Sequence, residues 1–190
     1  MNRREVIQQM GVIMGGAVVS PSLLRYLEGK TRPSDEGYRR LVFSADNEKL
    51  VAEIADTIIP PTSTPGAKEA GVAPLITLLM NDCYAAKEQA IFKAGLEEVE
   101  KISNDLYKKS FMDCSSTERI AVLKKMEAAA IADRKAGVKG QPFWFMMKEL
   151  TMMGYFTSEI GATKALEYVP IPGAYHGCID LKPGQKAWAT

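Results

Sequence analysis

A chain of 190 residues, 46% of them hydrophobic, is long enough to bury one core of ordinary domain size. Its 24 Lys and Arg against 23 Asp and Glu give a net charge of +1, and the balance is neutral once residues 1–20 are set aside, which argues against a nucleic-acid partner. The three cysteines, Cys83, Cys114 and Cys178, are odd in number and widely spaced, so they make no disulfide framework and no Cys-x-x-Cys pair.

Residues 1–24 open with Asn2-Arg3-Arg4-Glu5-Val6-Ile7, and no further charge follows until Arg25. Paired arginines, Arg3 and Arg4, before a modest apolar run have the form of a bacterial twin-arginine export signal, an address read by a receptor. Residues 10–19 are apolar or Gly throughout, close to the roughly 7–15 residues of such a signal's central region. A transmembrane helix takes about 20 predominantly apolar residues, and residues 6–24 are too diluted by Gly, Gln and Ser to make one. The bland alternative is an amphipathic helix on a cytosolic protein. Against it, Val12-Ile13-Met14 and Ala17-Val18-Val19 stand side by side with no charged face to balance them. No Ala-x-Ala is present and Pro21 follows Ser20, so retention as a weak anchor stays open beside cleavage. The expected compartment is the periplasm, with membrane association as a variant of it.

Residues 25–44 read as a linker, centred on Lys30-Thr31-Arg32-Pro33-Ser34-Asp35-Glu36-Gly37. A helical domain is expected over 45–168. Its first helix runs 45–59, with Ser44 as N-cap, Asp46 and Glu48 in the first turn and Pro60-Pro61 as the stop. Leu50, Val51, Ile54, Ala55, Ile58 and Ile59 form its apolar stripe. After a stiff loop, a second helix begins near Pro74, and Cys83 is placed on its buried face. A long two-faced helix over 86–108 shows Ala90, Ile91, Ala94, Leu96, Val99, Ile102, Leu106 and Tyr107 as its apolar side. Ser115-Ser116-Thr117-Glu118 is a capping box for a helix to about 132. Pro142 starts a helix over 143–153 that is apolar nearly all round, hence central or at an interface, and Gly154 is expected to break it. A short last helix follows from Ser158 to about 168. From Val169 the prolines impose extended backbone, and residues 169–190 are expected to form an arm. The fold class is therefore all-α: a single compact multi-helix domain with an N-terminal twin-arginine signal segment and an extended C-terminal arm.

Chemistry is hard to place on this chain. His176 is the one histidine, so a nucleophile–base arrangement has one available base and no visible partner. His176 with Cys178 supplies two metal ligands of the usual four. No Gly-x-Gly-x-x-Gly or phosphate loop occurs, so no cofactor is expected in this chain. Ten methionines make axial ligation of a haem conceivable, but Met146, Met147, Met152 and Met153 lie in an apolar helical run and read better as core or interface filler.

Three segments resemble a known family. Ala55-Asp56-Thr57-Ile58-Ile59-Pro60-Pro61-Thr62-Ser63-Thr64-Pro65-Gly66-Ala67 with Ala70-Gly71-Val72 is the first. Phe143-Trp144 with the run from Lys148-Glu149-Leu150-Thr151 through Met152-Met153-Gly154-Tyr155-Phe156-Thr157-Ser158-Glu159-Ile160-Gly161 is the second, and Tyr168-Val169-Pro170-Ile171-Pro172-Gly173 with Gly177-Cys178 the third. Together they resemble the small subunit (subunit 3) of gluconate 2-dehydrogenase over 45 to about 181. The resemblance implies a non-catalytic accessory subunit. Its partner would be a large FAD-dependent oxidoreductase subunit of the glucose-methanol-choline type, often with a cytochrome c subunit as electron acceptor. Flavin and catalysis would belong to the large subunit, and the twin-arginine machinery would export both. Phe143, Trp144, Tyr155 and Phe156 are then candidate interface anchors. The tail would lie across the partner through Pro170 and Pro172, and Cys178 would be available for an intersubunit disulfide. Internal packing of these aromatics is the alternative, as is a plain free thiol for Cys178. Two further readings stand beside this one: a haem-bearing electron-transfer subunit of the same kind of complex, and an isolated sugar-binding module using Tyr175 and Trp188.

Overall fold

The computed structural model describes residues 44–189 except 139, 172, 175 and 176. The expected signal at Arg3 and Arg4, and most of the linker, lie outside the described residues.

Helix α1, Ala45–Ile58, starts where its cap dictates: the Ser44 hydroxyl accepts from the Asn47 amide at 3.2 Å. It buries Leu50, Val51, Ile54 and Ala55 and stops before Pro60. Helix α2 spans Val72–Asp82 and α3 Ala86–Tyr107. A single 3-10 turn, Phe111–Asp113, leads to α4, Ser116–Lys135. The capping box at its start is present in both directions, Glu118 amide to Ser115 hydroxyl and Ser115 amide to the Glu118 carboxylate at 2.7 Å. Those bonds, with Lys109 alongside, hold the Glu118 carboxyl below its ordinary value.

Helix α5, Phe143–Thr157, packs against all four other helices and is the centre of the domain. Its inner faces bury Trp144, Met146, Met147, Leu150, Thr151 and Tyr155. A π-type turn, Gly161–Ala165, folds back on its end. Short strands β1, Glu167–Tyr168, and β2, Trp188–Ala189, then pair in parallel, with Glu167 opposite Trp188.

Four expectations are corrected. Gly154 does not end α5, which continues to Thr157; the glycine is buried inside the helix, where Val72 and Leu75 of α2 close on it. The last helical segment stops at Ala165 instead of about 168, because the Glu167 and Val169 amides donate to the carbonyls of Ala187 and Ala189. Cys83 is exposed: it caps α2 on the outside, and the turn after it is pinned by the buried Gln89, whose side-chain amide donates to the Met80 and Tyr84 carbonyls at 2.8 and 3.0 Å. On α3 the buried side is Gln89, Phe92, Gly95, Leu96, Val99, Ile102 and Ser103, so Ala90, Ala94 and Leu106 fall outside it. Gly95 sets that phase. The Phe143 ring occupies the space a Cβ would need, and it meets Phe92 edge-on at 5.0 Å. Gly in a helix interior costs about 1 kcal/mol relative to Ala, and the seat it opens lets the start of α5 reach the core.

Candidate functional site

Two places carry the polar chemistry and the surface of this domain: the loop of residues 60–71, and the outer side of α5.

The loop joins α1 to α2 and is tied at several of its backbone groups. Thr62 donates its amide to the Thr64 carbonyl, Ala67 to Ile59 and Val72 to Ala67, at 2.9, 2.9 and 3.2 Å. The Asp56 carboxylate accepts from the Lys68 amide at 3.1 Å. The Tyr155 hydroxyl on α5 donates to the Pro65 carbonyl at 2.8 Å, tying the loop to the central helix. Ala67 is fully buried, and a Cβ on Gly66 would stand 2.5 Å from Asp56 Oδ1 and 2.8 Å from Pro61 Cδ. Only glycine fits there.

Beneath the loop, Glu53 of α1 binds Lys68 and the guanidinium of Arg119, the latter at 2.6 Å. Arg119 also donates to the Phe111 and Met112 carbonyls at 3.2 and 2.6 Å and lies over the Phe111 ring. Burial alone would raise the Glu53 carboxyl, but the Lys68 hydrogen bond and the two cations outweigh it and hold it below 4.5, its ordinary value. A carboxylate so held is an electrostatic tie between α1, the loop and the start of α4, and makes a poor proton carrier at neutral pH.

On α5, Glu149, Met152, Met153 and Phe156 line the solvent side, with Phe145 half-buried at its start. That start borders a groove of about 710 Å³ lined by Val138, Pro142, Phe145 and Met152, with Arg134 and Lys148 as its cations and Glu149 as its carboxylate. Lys148 reaches Glu127 at 3.3 Å and also lies over the Trp144 ring, while Gln141 donates to Glu149 at 2.9 Å. The Arg134 guanidinium stands 5.5 Å from the Phe145 ring centre.

The candidate anchors divide. Phe143, Trp144 and Tyr155 are buried in this chain's own core, so internal packing, left open by the sequence, is what the structure shows for them. Phe156, Pro170 and Cys178 are exposed, and Pro172 lies outside the described residues. Trp188 is exposed on β2; Tyr175 and His176 lie outside the described residues. The buried cysteine is Cys114, whose sulfur lies 3.1 Å from the Ser103 hydroxyl. Among the described residues, no three His, Cys, Asp or Glu side chains group to hold a metal ion, and no helix is long and apolar enough to cross a membrane.

Sequence reasoning passed over Glu53, Arg119, Arg134 and Phe145. For Glu53 a signal existed, since it sits between Leu50 and Ile54 on the edge of the apolar stripe, where a carboxylate needs a partner. For Arg134 none existed, because its place depends on α4 lying beside the start of α5.

In class, this is a small all-α domain organised around one central helix. Residues 45–173 match the family described as gluconate 2-dehydrogenase subunit 3, and the chain belongs to that family. The resemblance is thereby borne out over 45–173, with Gly177-Cys178 beyond the matched residues, and the family carries an accessory role beside a larger oxidoreductase subunit. No curated protein and no solved structure matches the chain.

Proposed function

We propose that this chain is the non-catalytic small subunit of a periplasmic, membrane-associated FAD-dependent dehydrogenase acting on gluconate, another sugar acid or a polyol. The family match over 45–173 carries the reading. In it, FAD and the reacting groups belong to the large subunit, a cytochrome c subunit accepts the electrons, and the Arg3-Arg4 signal takes the folded pair through the twin-arginine machinery. The small chain supports export and assembly. Phe156, Pro170, Pro172 and Cys178 remain its contacts to the partner, with Cys178 able to close an intersubunit disulfide in an oxidising compartment.

Deleting residues 1–20 and locating the flavoprotein tests this. The large subunit is expected to stay in the cytoplasm, and unchanged periplasmic delivery would overturn the export role. An absorbance scan of the purified chain separates the accessory reading from a haem-bearing one: we expect no Soret band. Non-reducing gels of the co-purified complex should lose a mixed dimer on Cys178→Ser.

A further inference from the structure

The outer side of α5 lacks the cover its residues would suit. Phe145, Glu149, Met152, Met153 and Phe156 recur at i, i+4, i+7, i+8 and i+11, which places them on one side of the helix over about 16 Å. Met152, Met153 and Phe156 are 46%, 43% and 38% exposed, a concentration of large apolar surface on a short helix. At its N-terminal end this side runs into the groove lined by Val138, Pro142, Phe145 and Met152.

Charge distinguishes among occupants. Lys148 is turned to Glu127, and Glu149 is held by Gln141. Arg134 lies over the Phe145 ring and makes no ion pair among the described residues, although the Glu149 carboxylate lines the same groove. A guanidinium parked on an aromatic face is pre-organised and weakly hydrated, so it loses little on meeting an anion. The apolar lining suits side chains poorly matched to a polyhydroxy sugar. Its continuation along α5 is longer than a compact small molecule needs. Methionines at the far end adapt to an irregular protein surface.

We propose that this side of α5 and its groove seat an apolar segment of the larger oxidoreductase subunit that carries a carboxylate. The carboxylate meets Arg134, and the apolar side chains lie along Phe145, Met152 and Phe156. This rests on the accessory-subunit reading and moves the docking site away from Phe143, Trp144 and Tyr155 to the opposite side of the same helix.

The test uses the full chain co-expressed with the large FAD-dependent subunit that the accessory reading calls for. A photo-crosslinking residue is placed at Met152 or, as control, at Asp46 on α1. Affinity is compared for wild type, Arg134→Glu, Arg134→Lys and Met152→Asp, with circular dichroism as the folding check. We expect crosslinking to the flavoprotein from position 152 and not from 46. Arg134→Glu and Met152→Asp should each weaken association at least about tenfold at unchanged helicity, the size of a desolvated charge or anchor at an interface, and Arg134→Lys should retain most of it. Crosslinks from 46 alone, with full affinity in both disruptive variants, would overturn the docking site and leave the accessory reading standing. Crosslinks from 152 to a second copy of this chain would replace it by self-association. Failure of the wild-type chain to bind the flavoprotein would overturn both.

Discussion

Residues 60–71 and residues 169–187 are alike in composition and opposite in structure. Both are punctuated by Pro and Gly, and among the described residues neither contains a helix. The first is tied by Asp56, Tyr155 and its own amides, and Ala67 within it is fully buried. In the second, Ile171 and Leu181 are each 84% exposed, and the bonds among the described residues lie where β1 meets β2, between Lys182 and Gln185, and where the Lys186 ammonium reaches the Lys164 carbonyl. Pro and Gly content therefore does not decide whether an irregular segment is rigid. What decides is whether side chains from neighbouring helices satisfy its backbone groups.

The sharpest way to break that contrast is Gly66→Ala. The new methyl group collides with Asp56 and Pro61 in the tied loop, and we expect a loss near the upper end of about 1–3 kcal/mol. For a chain of this size that is a fall in Tm of roughly 6–12 °C, readable by thermal denaturation. Next comes Glu53→Gln, which leaves Arg119 with its two carbonyls but without its carboxylate. Because that pair is only partly buried, about 2 kcal/mol is expected, below the cost of breaking a fully buried one.

The same residue gives a pH dependence. Its carboxyl titrates lower in the folded chain than the ordinary 4.5. The stability it contributes is therefore complete above that ordinary value and is lost as pH falls through the lower folded one. Denaturation followed from neutral pH down to about pH 3 should show a steeper acid limb in the wild type than in Glu53→Gln. Tyr155→Phe removes the bond to the Pro65 carbonyl and the longer 3.4 Å contact with the Thr64 hydroxyl, for about 1 kcal/mol. It should also raise hydrogen exchange in residues 62–67 before it affects α5. At the small end, Ile171→Ser with Leu181→Ser should move stability by less than about 0.5 kcal/mol, since neither side chain is in the core. A loss as large as that of Gly66→Ala would show that the second segment is held by contacts the comparison assigns only to the first.

The helices were legible because their ends are written in single residues. Ser44, Pro60 and the Ser115–Glu118 box each fix a boundary by one or two hydrogen bonds or one missing donor. Burial was less legible because it depends on what arrives from elsewhere. Gly95 looks neutral until Phe143 is seen to fill it, Gln89 looks exposed until two carbonyls are seen to need it, and Gly154 looks like a stop until Val72 and Leu75 occupy its side. The run 143–153, apolar nearly all round, reads as central or interfacial. It is central by its inner faces, and its outer one stays open. Arg134 was beyond reach of pattern alone, since its neighbour Phe145 sits on a different helix.

The bond from Tyr155 to Pro65 joins groups 90 residues apart in the chain. In time, at synthesis rates of about 5–20 residues per second, that separation is roughly 4–18 s. During that interval the first helices have emerged with their loop, and the helix that anchors it has not. A nascent chain halted short of residue 155 therefore holds helices without their fastening, and the domain reaches its final form only late in its own synthesis.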